Sequence, residues 1–271
     1  MEYDVLAAIM KPELSLIFDE PTQTEYKKKF EALWFELVDA HSSMFVVEKL
    51  LEFPSELLLP PHHKTFFPLL LKNFVNQIVL IIHKSLGDQR TDVLTFTTFK
   101  KWICDKCRDS YTDQVRLYFE QVDDRTKIST ILEKTRVLRH NLIAHFNIDY
   151  AIHRKKREEA KIYFHELRLL LDETDKLMNA LCFEGGVSML PPWYTKSNYH
   201  RSGVDSRADI ECFLDAIAKD SALLKMPEEQ RNWWHIYKKE LTDEEKKVFN
   251  YWRRRVGLSE EIFDQEINQA G

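Results

Sequence analysis

From Thr24 to Leu51 the apolar residues Phe30, Leu33, Trp34, Leu37, Val38, Met44, Val47, Leu50 and Leu51 return at a helical period. At 3.6 residues per turn this is a helix of about seven turns. It is weakest at His41-Ser42-Ser43 and is stopped by Pro54. A chain that opens on so long a helix must bury its stripe against other helices or against a sheet. Sheets need many tight turns, and 6 glycines in 271 residues supply few. The sequence predicts an all-α fold.

Further helices follow in order. Residues 2–10 could form a short one before Pro12, and Leu57–Pro61 reads as an apolar loop ahead of His62-His63. Thr65 opens a helix with Pro68 in its first turn; Phe66, Leu70, Phe74, Ile78, Ile81 and Ile82 carry it to about Leu86. Apolar residues cover most of its circumference, which predicts a central place in the bundle. Gly87-Asp88 makes the turn, and Asp92 or Thr95 caps a helix through Phe99, Trp102 and Ile103. Next come Val115–Val122, an amphipathic segment at 128–146, and a helix carrying Ile162, Leu167, Leu170, Leu171, Leu177, Met178 and Leu181. Gly185-Gly186, Pro191-Pro192-Trp193 and Ser202-Gly203 mark an irregular connection, after which Asp205 or Ser206 caps a helix through Ile210 and Ile217. The expected organisation is a bundle over residues 1–218 and an extension of short helices over 219–271. The extension has helix starts at Pro227, Thr242-Asp243-Glu244-Glu245 and Ser259 and an aromatic face of Trp233, Trp234, Phe249, Trp252 and Phe263. It is expected to pack on the bundle or on a partner chain. Arg253-Arg254-Arg255 beside Trp252 could alternatively meet nucleic acid.

Composition excludes several classes. With 44% apolar and 31% charged residues the chain reads as soluble and globular. The longest aliphatic run, Ile78–Ile82, is ended by His83 and falls far short of the roughly 18 residues that cross a bilayer. The acidic start Met1-Glu2-Tyr3-Asp4 lacks a signal peptide's basic region, so no membrane partner and a cytoplasmic location are expected. A formal net charge of −5 requires any nucleic-acid contact to use a local basic patch. Of the cysteines Cys104, Cys107, Cys182 and Cys212, the pair Cys104-x-x-Cys107 has no second ligand pair, so Cys104 and Cys107 read as reduced core cysteines and no metal site is expected. No phosphate-binding glycine loop, H-E-x-x-H or G-x-S-x-G is present.

The least bland stretch is Arg139-His140-Asn141-Leu142-Ile143-Ala144-His145. At about 100° per residue, Arg139 lies within about 40° of Ile128, Leu132, Ile143 and Phe146. It occupies a position where the pattern calls for Leu. A cation there is costly to desolvate and is paired or held for use. His145 lies at the edge of the same arc, one helical step from Asn141. Soon after comes the densest basic run, His153-Arg154-Lys155-Lys156-Arg157. It opposes the dipole at the start of the next helix, so it is either a solvated surface run or a phosphate-facing one.

Arg139, the polar pair His140-Asn141 and then His145 on a helix resemble the HEPN (higher eukaryotes and prokaryotes nucleotide-binding) motif. Leu138-Arg139-x-x-Leu142-Ile143-Ala144-His145 is similar to the abortive-infection U branch of that family. The Trp34-bearing helix, Ile78–Gly87-Asp88 followed by Leu94-Thr95-Phe96, and the Ile210–Ile217 helix agree with it, so the resemblance spans residues 24–218. It implies an all-α, antiparallel helical bundle of four or five helices, usually as a homodimer with the motif lining a cleft between protomers. The implied activity is a metal-independent, cofactor-free endoribonuclease of toxin–antitoxin or anti-phage defence, with RNA as substrate and an antitoxin as a further partner. Some members are inactive and serve as binding modules. In the active reading Arg139 neutralises the phosphate, His145 transfers the proton and Asn141 orients either group. His140, Arg154, Lys155, Lys156 and Arg157 would contact the RNA.

Geometry adds its own argument for a dimer. Six residues set Arg139 and His145 about 9 Å apart along a helix and on different faces, whereas a two-fold could bring two copies of each to one cleft. Asn147 stands where members modified by a nucleotidyltransferase partner carry Tyr, and where an acidic residue is expected in the abortive-infection U branch. The alternative reading makes Arg139 a structural cation paired with a buried carboxylate such as Asp88, and His145 a helix-end histidine.

Overall fold

The computed structural model describes residues 11–59, 66–87, 90–140, 161–184, 206–226, 236 and 239–258. Among these the backbone is helical with no strand, apart from an isolated parallel bridge between Glu13 and Glu184. Eight principal helices are α1 (Glu20–Glu52), α2 (Phe66–Ile82), α3 (Phe96–Lys106), α4 (Thr112–Val122), α5 (Ser129–Leu138), α6 (Phe164–Leu181), α7 (Ser206–Asp220) and α8 (Asp243–Arg255). The fold is all-α, as the periodicity predicts. The expectations for residues 2–10, His62-His63, Asp88, 141–160, 185–205, Pro227, Trp233, Trp234, Ser259 and Phe263 lie outside the described residues.

Local rules explain the helix starts. α1 begins four residues ahead of Thr24, because the Asp19 carboxylate accepts the Thr22 N–H at 3.0 Å and Pro21 sits in the first turn. Thr95, not Asp92, caps α3 in a reciprocal box with Thr98, whose N–H reaches the Thr95 hydroxyl at 3.1 Å. Thr242 and Glu245 form the box expected at α8. Leu57–Leu59 are buried, and Ser55–Leu58 makes a helical turn where a loop was expected.

The described residues divide into two compact units. One holds 11–44, 75–87, 90–140 and 161–184; the other holds 45–59, 66–74, 206–226 and 239–258. The chain changes unit inside α1, between Met44 and Phe45, and again inside α2, between Phe74 and Val75. α8 shares a core with the end of α1 and the start of α2.

Tyr26 is the centre of the first unit. It is fully buried, with ring centroids 5.5 to 6.1 Å from Phe18, Phe30, Phe99 and Phe183. Its hydroxyl donates to the Leu181 carbonyl and accepts the Phe183 N–H at 3.2 Å. Tyr118 donates likewise to the Ala180 carbonyl at 2.9 Å. Two tyrosines thus satisfy carbonyls that the end of α6 leaves without helical partners. Burial pushes the Tyr118 phenol up to about 12 and raises Tyr26 further, so both remain donors.

In the second unit Phe53 stacks on Phe67 at 5.2 Å and meets the edge of Trp252 at 5.1 Å. Ser221 donates its hydroxyl to the Leu58 carbonyl. Phe249 and Trp252 are core residues, which accounts for the described part of the aromatic face. The nucleic-acid role for Arg253-Arg254-Arg255 loses two of its three side chains. Arg253 is buried and donates to the Leu224 carbonyl, while Arg255 pairs with Asp215 at 2.5 Å and lies over the Trp252 ring.

α2 departs from its expected central place. Ile78, Val79 and Ile82 are buried, but Phe66 is 48% and Leu69 60% exposed. With the turn after it, Phe66–Gly87 is a 22-residue stretch long and apolar enough, by length and composition, to cross a membrane. Counting only aliphatic runs misses this, because Phe and Pro continue the stretch ahead of Leu69.

One ionic cluster braces the turn after α2. Arg125 donates to Asp123 at 2.9 Å and to the Leu86 carbonyl at 3.4 Å, and its guanidinium lies 4.9 Å from the Phe96 ring centre. Lys100 reaches the other Asp123 oxygen at 2.5 Å. Burial opposes the Asp123 carboxylate, but the Lys100 hydrogen bond and the Arg125 charge outweigh it and hold its pKa below the usual range. A depressed folded pKa gives stability that is full above the unfolded value of about 3.9 and lost as pH falls through the folded one. Asp123→Asn is therefore expected to cost about 1–2 kcal/mol at pH 7. In urea titrations its difference from wild type should shrink as pH drops below about 4; a constant difference would refute the ionic account.

Candidate functional site

Two π-helical turns build the site. The first, His83–Gly87, prolongs α2; the second is at Arg139-His140, where α5 ends. α5 is placed by Ile128, Ile131 and Thr135 on its buried side and by Lys134, which reaches Glu166 of α6 at 2.5 Å. Glu166 also accepts the Tyr163 N–H at 2.8 Å, so it is fixed from both sides. A π turn adds a residue to the helical circuit and rotates the residues beyond it. Such turns are frequent at functional sites.

Arg139 is half-buried, and its Nη1 lies 3.5 Å from Nε2 of His83, which is only 3% exposed. The contact is at the outer limit of a hydrogen bond. A guanidinium has donors only, so His83 accepts through an unprotonated Nε2 and is neutral in this pairing. The exposed His140 sets its ring edge-on to His83, 6.0 Å between centroids. Among the described residues Arg139 has no carboxylate partner. Its partner is an imidazole that leaves its charge in place.

Gly87 makes room for this ring. A Cβ added there would stand 2.8 Å from His83 Nδ1 and 3.1 Å from Cε1, closer than carbon atoms pack. Lys84, on the same turn, pairs with Glu36 of α1 at 2.5 Å and keeps its charge at the surface.

Of the residues singled out by sequence, the structure places Arg139 and His140 beside His83. Asn141, His145, Arg154, Lys155, Lys156 and Arg157 lie outside the described residues, as does the Asp88 pairing. His83 was missed as a site residue. Its signal was present: it falls four residues after Val79, a buried position, and puts a polar group where the apolar stripe continues. Cys107 is buried, with Sγ 3.3 Å from the Cys104 carbonyl, and burial raises the Cys104 thiol. Neither is a poised nucleophile.

The AbiU2 family model, of HEPN type, matches residues 23–191. The chain belongs to this family. The AbiU2 match covers the stretch from Arg139 to His145 and ends before α7, so the Ile210–Ile217 helix counted in the resemblance falls outside it. No curated protein and no solved structure matches the chain. The AbiU2 assignment puts Arg139 within a HEPN-type domain and agrees with the all-α fold.

Gly87→Ala should force the His83 ring out of its slot. Its expected cost is about 1–3 kcal/mol of stability, since a well-packed site has no room for a methyl group. Chemical denaturation checks this, and an unchanged midpoint would show that the ring moves freely.

Proposed function

We propose that this AbiU2 protein is a metal-independent endoribonuclease of abortive-infection or toxin–antitoxin type, acting on RNA in the cytoplasm as a homodimer. The observation that carries the reading is Arg139: a half-buried guanidinium held by a neutral imidazole with its charge uncancelled by any described carboxylate. A half-buried charge kept in that state suits an anionic ligand. The family match supports the class of chemistry.

In this reading the ribose 2′-hydroxyl attacks the adjacent phosphorus. His145 takes the hydroxyl proton as the O–P bond forms, the P–O5′ bond breaks, and a charged His145 delivers a proton to the leaving 5′-oxygen, giving a 2′,3′-cyclic phosphate and a 5′-hydroxyl. A neutral imidazole with a pKa near 6.5 can accept a proton at neutral pH and, once charged, deliver one. Arg139 stabilises the negative charge gathering on the non-bridging oxygens. Asn141 orients the His or the phosphate. His140 and the run Arg154, Lys155, Lys156 and Arg157 hold neighbouring phosphates, giving a salt-dependent affinity. Pairing two copies about a two-fold completes the cleft, and an antitoxin covering it would restrain the activity.

The test is incubation of total cellular RNA in EDTA with wild type, Arg139→Ala and His145→Ala, each checked for fold and for dimer by sedimentation. The expected outcome is cleavage by wild type with cyclic-phosphate ends and a loss of at least about 100-fold in either variant. No cleavage by folded, dimeric wild type would instead make it an inactive HEPN-type binding module.

A further inference from the structure

The geometry points to His83 as the positioning residue of the site: its neutral ring accepts a hydrogen bond from Arg139 through Nε2, with Gly87 shaping the slot that holds the ring. The catalytic arm of this inference rests on the ribonuclease reading; the geometric arm does not.

Three independent observations converge. Arg139 Nη1 lies 3.5 Å from His83 Nε2, and the donor can only be the guanidinium. His83 is 3% exposed, so its ring orientation is fixed by packing. A side chain at Gly87 would collide with that ring at Nδ1, so the glycine is shaped to the imidazole and not to a turn with a positive φ. Both partners stand on π turns, and the turn carrying His83 is anchored at its Leu86 carbonyl by Arg125. An arginine has several rotatable bonds and sweeps a wide volume. An acceptor on one Nη fixes the direction of the fork while the remaining N–H groups stay available for a phosphate. A carboxylate at the same place would also fix the fork but would cancel the charge. His83 positions without neutralising.

Two measurements on the full chain test this. In a long-range ¹H–¹⁵N spectrum of the imidazoles at pH 8, the His83 signals, assigned by their loss in His83→Gln, should show the Nδ1–H tautomer with Nε2 as acceptor. In Arg139→Ala that pattern should change. A wild-type His83 in the Nε2–H form, or a pattern indifferent to Arg139→Ala, would overturn the proposal whether or not the protein cuts RNA.

The kinetic arm compares His83→Gln, which keeps an acceptor, with His83→Leu, which fills the space without one. The Leu variant should lose about 10- to 100-fold in kcat with KM little changed, as expected when a charge-stabilising group is displaced by about 1 Å. The Gln variant should recover most of that loss. Equal losses in two folded variants would mean that His83 only fills space. If wild type cuts no RNA, the ribonuclease reading fails while the tautomer result still decides the role of His83.

Discussion

The first unit depends on the buried hydroxyl of Tyr26. Its ring lies among four phenylalanines from the α1 entry, α1 itself, α3 and the segment after α6, which no helical periodicity would bring together. A phenol at the centre of an aromatic cluster costs several kcal/mol unless it is hydrogen-bonded. Here it is bonded twice, to Leu181 and Phe183, where a helix end exposes backbone groups that would themselves be costly to bury. Each of the two defects is the other's remedy. This fixes the end of α6 against α1, and the Lys134–Glu166 pair then fixes α5 against α6.

From there the constraint passes to the site through polar contacts. Arg125 joins Asp123, the α3 start at Thr97, the Phe96 face and the Leu86 carbonyl. It thereby braces the π turn that holds His83. Leu86 stands in the last turn, where helical carbonyls lack intrahelical partners, and Arg125 supplies the donor.

How much of this was legible in the sequence depends on the kind of interaction. The helices were legible because burial of an apolar stripe imposes a period, and Thr95 and Thr242 marked starts by local capping rules. Arg139 was legible for the same reason in reverse, as a cation on an apolar arc. The π turns were not, because they depend on contacts between residues far apart in the chain. His83 belongs with them. It reads as the end of an aliphatic run until the fold sets Arg139 against it. The division of α1 and α2 between two units was equally hidden, although the weak His41-Ser42-Ser43 stretch lies where the chain crosses. His41 is itself buried in the first unit, 2.8 Å from Asp175, so a polar interruption of the stripe again marks a specific pairing.

The identity of Arg139's partner has an electrostatic consequence. Two unit charges 4 Å apart attract by about 4 kcal/mol at an effective dielectric constant of 20. A carboxylate in the place of His83 would hold Arg139 by an amount of that order, and a phosphate would have to compete with it. It would also leave the pair with no net charge to steer an anion. A neutral imidazole removes that competition and retains one directional contact. It costs stability, because a half-buried cation is then less compensated within the described structure. Lys134 and Lys84 each have a carboxylate of their own in Glu166 and Glu36, and Lys100 and Arg125 share that of Asp123. Among the described residues Arg139 differs from them in having an imidazole and no carboxylate as partner, so its charge is well placed to be neutralised by an incoming anion.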